Sequence, residues 1–201
     1  RPLLSSDAVL TDTGSVKSPL INMMCSPENA AIRFVGGHPI TGSENFGPSA
    51  SQDNLFAGKH FILTPSKNTD RNVLRTVREL WESLGAEVSE MDAEAHDQMF
   101  ASVSHLPHLL AYASIHAITN SDKPDALGQS GAGLKDFSRI ASSSPEMWAD
   151  IFLENQKNLL PRMNTFKDAM TDLEDAIMRN DKEKLIELLT LAKTERDRWM
   201  T

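Results

Sequence analysis

Up to about residue 92 the chain alternates short apolar runs with turn residues. Ala8–Thr11 (A-V-L-T) runs into Asp12-Thr13-Gly14-Ser15, Ile32–Val35 (I-R-F-V) into Gly36-Gly37, and Phe61–Thr64 (F-I-L-T) into Pro65. Glu87–Met91 is a weaker run of the same kind. Apolar runs this short, bounded by Gly, Pro and Asp, read as strands. Between the last two, Val73, Leu74, Val77, Leu80, Trp81 and Leu84 recur at helical spacing. Thr69 or Asp70 can cap that helix, and Gly85 sits where a C′ glycine belongs. Apolar strands flanking a helix predict a parallel sheet covered by helices. Asp12–Lys17 follows a strand and opens a helix, and Gly36-Gly37 are read as a tight turn at a strand's carboxyl end. Such strand ends are where α/β sheets bind ligands.

From about residue 93 the spacing turns helical. Glu94–Ile118 is one long candidate interrupted by Pro107, and Pro145 opens another with Ser144 as N-cap. Asn180 and Glu183 have capping-box spacing ahead of Leu185, Leu188, Leu189 and Ala192. Met163, Phe166, Met170, Leu173 and Ile177 form a stripe suited to a core or a subunit interface. Thr119–Lys135, with Pro124, Gly128, Gly131 and Gly133, shows no regular period and reads as a loop. There are no internal repeats. The expected organisation is an α/β region over residues 1–92 followed by an all-α region over 93–201.

Composition narrows the function. With 40% apolar and 24% charged residues, the 201-residue chain has an ordinary globular composition, enough for one large domain or two small ones. A net charge of −8 argues against general binding to nucleic acid or anionic membrane, although a locally basic site for a small anion is compatible with it. The single cysteine, Cys25, excludes an intrachain disulfide and a cysteine-rich zinc site, and suits a reducing cytosol. It has no base beside it in sequence, which argues against a nucleophilic role. No apolar run approaches the ~20 residues that span a bilayer, and R-P-L-L-S-S-D is not a signal peptide. The expected localisation is cytoplasmic.

Candidate chemistry centres on histidines. Four of the six fall between residues 96 and 116. S-H-L-P-H places His105 and His108 on one helix face if the helix runs through Pro107. Three readings stay open: buried histidines with satisfied hydrogen bonds, a metal site using His96-Asp97 with His38, or a pocket for an anionic substrate. The metal reading lacks clearly spaced carboxylate ligands. Arg139, after the glycine-bearing segment, is either a surface arginine or a bidentate partner for a carboxylate. Trp148 reads as core or interface by default. Neither a Walker A loop nor a usable G-x-G-x-x-G occurs.

Six segments stand in order: T-D-T-G-S-V-K, F-V-G-G-H-P-I-T-G-S-E, D-N-L-F-A-G-K-H-F-I-L-T-P, H-D-Q-M-F-A-S-V-S-H-L-P-H, G-L-K-D-F-S-R-I-A and P-E-M-W-A-D-I-F-L-E-N. Together they resemble the prephenate dehydrogenases, including the cyclohexadienyl and arogenate dehydrogenases of tyrosine biosynthesis, over nearly the whole chain. The resemblance implies the C-terminal part of a Rossmann-like dinucleotide-binding domain followed by an all-helical dimerisation domain. It also implies oxidative decarboxylation. The substrate's C4 carbinol gives hydride to NAD or NADP, the ring carboxylate leaves as CO2, and the ring becomes aromatic. Prephenate would yield 4-hydroxyphenylpyruvate, and arogenate would yield tyrosine.

By the same resemblance, His38 matches the catalytic histidine that accepts a hydrogen bond from the substrate's 4-hydroxyl. Ser15 matches a serine between nicotinamide and that hydroxyl, with Thr13 beside it on the cofactor. His108 and Arg139 match substrate-binding positions, and Glu44 a carboxylate at the pocket mouth. Asp136 and Trp148 match positions near the pocket or the partner subunit. No metal is implied, and the partners are a homodimer mate and the small-molecule substrate, not nucleic acid or membrane. Ala132 stands where the family's glycine-rich segment has glycine. The family's first βαβ unit, with its G-x-G-x-x-G loop, has no counterpart here. The expectation is therefore a portion of a longer protein that keeps the substrate half of the site and the dimer interface, with weakened dinucleotide binding of its own. A non-catalytic helical dimerisation or binding module is the alternative.

Overall fold

The computed structural model describes residues 4–5, 7–41, 51–120 and 126–200. Strands β1 (Val9–Thr11), β2 (Arg33–Pro39), β3 (His60–Thr64) and β4 (Glu87–Glu90) lie side by side in that order. Helix α1 (Ser18–Met24) joins β1 to β2, and α2 (Arg71–Ser83) joins β3 to β4. These two connections make parallel pairs, as the apolar runs suggest, but β2 and β3 pair antiparallel, with His38 opposite Ile62. The sheet is therefore mixed and not wholly parallel. A parallel crossover needs a helix-length connection, and the sequence of residues 40–59 carries no helical apolar period.

Val35, Phe61, Leu63, Val73, Val77, Trp81 and Ala86 form the core between the sheet and α2. Phe61 stacks on Trp81 at 3.9 Å. Asp70, of the two candidate caps, accepts the N–H of Asn72 at 2.6 Å, and Gly85 closes the helix at φ +84°.

Gly36 and Gly37 do not form a turn. They lie inside β2, which continues through His38 to Pro39. A Cβ on Gly37 would stand 2.5 Å from Phe61 Cζ, and one on Gly36 2.5 Å from Thr64 Oγ1. Close approach of neighbouring side chains, rather than backbone freedom, demands glycine at both positions.

The long helical candidate divides. Helix α3 (Ala93–Phe100) runs into a π-type turn at Ala101–His105 and then into α4 (Leu106–Thr119). In that turn the Leu106 N–H reaches back to Ala101 O. Pro107 has no N–H to give, and the wider turn carries the chain past it. Part of the expected 119–135 loop is helical: α5 (Ala132–Ser138) begins there, and residues 121–125 lie outside the described residues. Helix α6 (Pro145–Glu154) has Ser144 Oγ accepting the Met147 N–H at 3.3 Å, as expected.

Helices α7 (Gln156–Met178) and α8 (Lys182–Met200) complete the chain. Asn180 does not cap α8. It ends α7 in the left-handed region at φ +52°, with its N–H on Ile177 O and that of Asp181 on Ala176 O. Asp181 is the cap, accepting the Lys184 N–H at 2.9 Å. By packing, residues up to Leu159 form one compact unit and those from Leu160 a second, the division falling inside α7. Among the described residues no helix is long and apolar enough to cross a membrane.

A buried polar cluster joins α3 to the start of α7. Asn155, 2% exposed, donates to Asp97 O at 2.8 Å and to His105 Nδ1 at 3.0 Å, and accepts from Asn158 at 2.9 Å. His105 is therefore neutral, with its proton on Nε2. Burial, aided by His96 and His108 and opposed by Asp97, pushes its pKa down to about 4.

Two outcomes follow. Gly37→Ala should lower stability by about 1–3 kcal/mol through overpacking against Phe61, read as a lower urea midpoint. The pH dependence has a definite sign. The unfolded chain protonates His105 near its ordinary value of 6.5 and the folded chain only near 4. Stability should hold above pH 6.5 and fall on acidification toward 4, and His105→Gln should flatten that fall in denaturation curves taken across this range.

Candidate active site

A cavity of about 460 Å3 opens where the carboxyl ends of β1 and β2 face the helical segments. The turn after β1 contributes Thr13 and Ser15, and β2 contributes His38. Phe100 and Ser104 come from the end of α3 and the π turn, and His108 from α4. Arg139 comes from the short 3-10 turn after α5 (Arg139–Ser142), Ser143 from the extended residue that ends it, and Trp148 and Ile151 from α6. Six of the eight residues singled out in sequence thus meet in one cavity: Thr13, Ser15, His38, His108, Arg139 and Trp148. Asp136 is exposed on α5 and does not line it. Glu44 lies outside the described residues.

His38 is the end of a buried hydrogen-bonded chain. Asp97 accepts the backbone N–H of Lys17 at 2.8 Å and of Ser18 at 2.7 Å, and its Oδ1 lies 2.9 Å from His96 Nδ1. His96 Nε2 is in turn 2.8 Å from His38 Nδ1. Burial works against the ionised form of Asp97, but the bonds from His96, Ser18 and Lys17 outweigh it and hold the carboxyl below its ordinary pKa. A carboxylate only accepts, so His96 donates from Nδ1 and offers the lone pair of Nε2. His38 must then donate from Nδ1, which leaves Nε2 as an acceptor on a residue that lines the cavity. Burial, then His96, Lys17 and His105, push the pKa of His38 down to about 3 against the pull of Asp97, so the ring is neutral at physiological pH. Phe100 packs against both rings, at 4.4 Å from His96 and 4.8 Å from His38.

The second histidine of the cavity is fixed separately. His108 Nδ1 donates to Ser104 O at 2.8 Å, and the ring stacks on Trp148 at 3.7 Å. His105 meets the same indole edge-on at 6.1 Å, so the pair does share a face. Burial holds His108 below its ordinary pKa, the Ser104 carbonyl opposing and Arg139 adding to the shift. Ser143 O, at the other end of the Arg139 turn, accepts from Tyr112 Oη at 2.7 Å.

The histidines thus sort into buried ones (His96, His105), cavity ones (His38, His108) and exposed ones (His60, His116). By sequence alone, His96-Asp97 figures as a possible metal pair with His38. The structure turns the dipeptide toward His38, so the ring nitrogens a metal would need are bonded to one another. Among the described residues no group of three or more His, Cys, Asp or Glu is placed to hold a metal ion. Local sequence assigns no role to Lys17 or Asn155. The signal for the first was a lysine five residues after Asp12, inside a turn already marked as a ligand position.

Comparisons with known proteins identify the family. The family model for the prephenate dehydrogenase nucleotide-binding domain matches residues 1–90, and that for the prephenate dehydrogenase dimerization domain matches residues 92–191. A cyclohexadienyl dehydrogenase of Zymomonas mobilis is 35% identical over 92% of this chain and 64% of its own length. A prephenate dehydrogenase of Bacillus subtilis is 32% identical over 96% of this chain and 53% of its own. The chain thus spans between about half and two thirds of the length of these curated relatives. The crystal structure of Aquifex aeolicus prephenate dehydrogenase in complex with hydroxyphenyl propionate and NAD+ superposes with a TM-score of 0.89 at 43% identity, over 98% of this chain and 69% of that one. With two adjoining domain models and a close structural counterpart all of one family, the chain belongs to the prephenate dehydrogenases.

Proposed function

We propose that the complete protein oxidatively decarboxylates prephenate or arogenate, with NAD or NADP as oxidant, and that His38 is the hydrogen-bond acceptor for the substrate's 4-hydroxyl. The observation that carries this reading is the Asp97–His96–His38 chain, which sets the tautomer of His38 and leaves Nε2 as an acceptor in a cavity that also holds Arg139. As hydride departs from C4, the substrate hydroxyl becomes acidic, and a neutral imidazole is matched to take its proton. His96, held on Asp97, stabilises the imidazolium that forms. The electron pair of the bond to the departing CO2 enters the ring, and the proton returns to the new phenol oxygen. Arg139 supplies a planar fork for a substrate carboxylate. His108, stacked on Trp148, lines the substrate side with it.

The cofactor's reactive end fits the turn after β1. Thr13 and Gly14 are exposed there, at a strand's carboxyl end, and Thr13 and Ser15 share the cavity with His38. Thr13 and Ser15 would hold the nicotinamide end. When bound, the dinucleotide supplies the hydride acceptor. Ser15 would keep the substrate hydroxyl between itself and His38. The fit extends to that end only, since this chain carries no G-x-G-x-x-G loop.

We also infer that two copies pair through the helical part. The match to a dimerization domain supports this, as do Met170, Ile177, Ile186 and Leu189, each about half exposed or more on α7 and α8. The single, free Cys25 is in keeping with a reducing cytosol.

Mixing the complete gene product with prephenate or arogenate and NAD+ or NADP+ should generate the reduced dinucleotide at 340 nm. His38→Asn should lower kcat by about 10^2- to 10^4-fold with little change in substrate KM. Full turnover in that variant would remove His38 from the chemistry. Light scattering should give twice the protomer mass, and a monomer would remove the pairing.

A further inference from the structure

Lys17 is wholly buried, and nothing in the proposed reaction uses it. Its Nζ donates to Gly37 O at 2.7 Å and pairs with Asp12 Oδ2. Asp12 Oδ1 accepts the N–H of the same Gly37 at 2.9 Å, and Oδ2 accepts that of Gly14 at 2.8 Å. Both backbone polar groups of Gly37, the residue before His38, are thus bonded to side chains from the turn that carries Thr13 and Ser15. The position explains why. The parallel pairing of β1 with β2 ends at Thr11 opposite Val35, where β1 turns away. Beyond it, the Asp12–Lys17 pair replaces the missing strand and takes up the edge of β2. The backbone N–H of Lys17 is also one of the donors to Asp97. A single residue therefore touches the turn, the strand and the relay.

We propose that Lys17 is a positioning residue, its buried amine clasping the end of β2 to the turn after β1 so that Ser15 and His38 face the cavity in fixed register. The proposal deepens the dehydrogenase reading and rests on it. Burying an amine costs desolvation, which lowers the pKa of Lys17 and is opposed by Asp12 and Asp97. A buried cation here also disfavours a second one on His38. The groups facing His38 are His96, Lys17, His105 and Asp97, of which only Asp97 favours its protonation.

The test uses the complete gene product with Lys17→Met and with the double variant Asp12→Asn/Lys17→Met, which leaves no unpaired buried charge. 15N-histidine NMR, with His38 assigned by its loss in His38→Asn, reads tautomer and titration directly. In wild type, His38 should be a neutral Nδ1–H ring. In either folded variant the Nε2–H tautomer should appear and protonation should move to higher pH. The acid limb of kcat/KM should move up with it, and kcat should fall about 10- to 100-fold. A folded variant with wild-type turnover and an unchanged His38 tautomer overturns the proposal. So does failure of both variants to fold, which would make Lys17 a residue of the fold rather than of the site. If wild type oxidises neither substrate, the dehydrogenase reading fails separately, and the NMR still decides whether Lys17 positions His38.

Discussion

The carboxylate of Asp97 is the point on which the site hangs. It is buried, yet it stays ionised because the backbone N–H groups of Lys17 and Ser18 and the ring of His96 all donate to it. Two of those bonds tie the start of α1 to α3, so the turn after β1 and the first helix of the second region are held by one group. The third bond orders the proton positions of His96 and then of His38. Orientation and tautomer thus come from the same anion, while burial and the neighbouring His96, Lys17 and His105 keep the His38 ring neutral against the pull of Asp97.

The helical side of the cavity depends on a local irregularity. Pro107 would break the ladder of a long straight helix, and the π-type turn at Ala101–His105 absorbs it. Ser104 O lies in that turn and holds the ring of His108. Trp148 then fixes His108 by stacking and meets His105 edge-on. Asn155 secures the rear of the same region by bonding both Asp97 O and His105. An acidic chain thereby builds a cavity containing Arg139 and two histidines, a local charge balance unlike its net charge of −8.

Much of the fold was readable. Asp70, Gly85 and Ser144 with Pro145 act where their local chemistry places them, because capping needs only neighbours in sequence. Asn180 shows the limit. Its spacing to Glu183 fits a cap, but asparagine is equally suited to a left-handed residue closing the preceding helix, and that role prevails. The direction of β3 turned on a connection without periodic signal. The two glycines of β2 were read as a turn because glycine permits one, and only Phe61 and Thr64, opposite in space, disclose that bulk is what they avoid.

The sequence by itself determined the alternation of strands and helices, the caps, and the list of residues able to do chemistry, since these follow from residue type and short-range spacing. The order of its motifs also pointed to the family. Which histidine does which job was decided by tertiary structure alone. His96 and His38 are 58 residues apart, Lys17 and Asp97 80, and Asn155 and His105 50. A proton's place on a ring is set by the partner at hydrogen-bond distance, and no local pattern records which partner the fold will bring there.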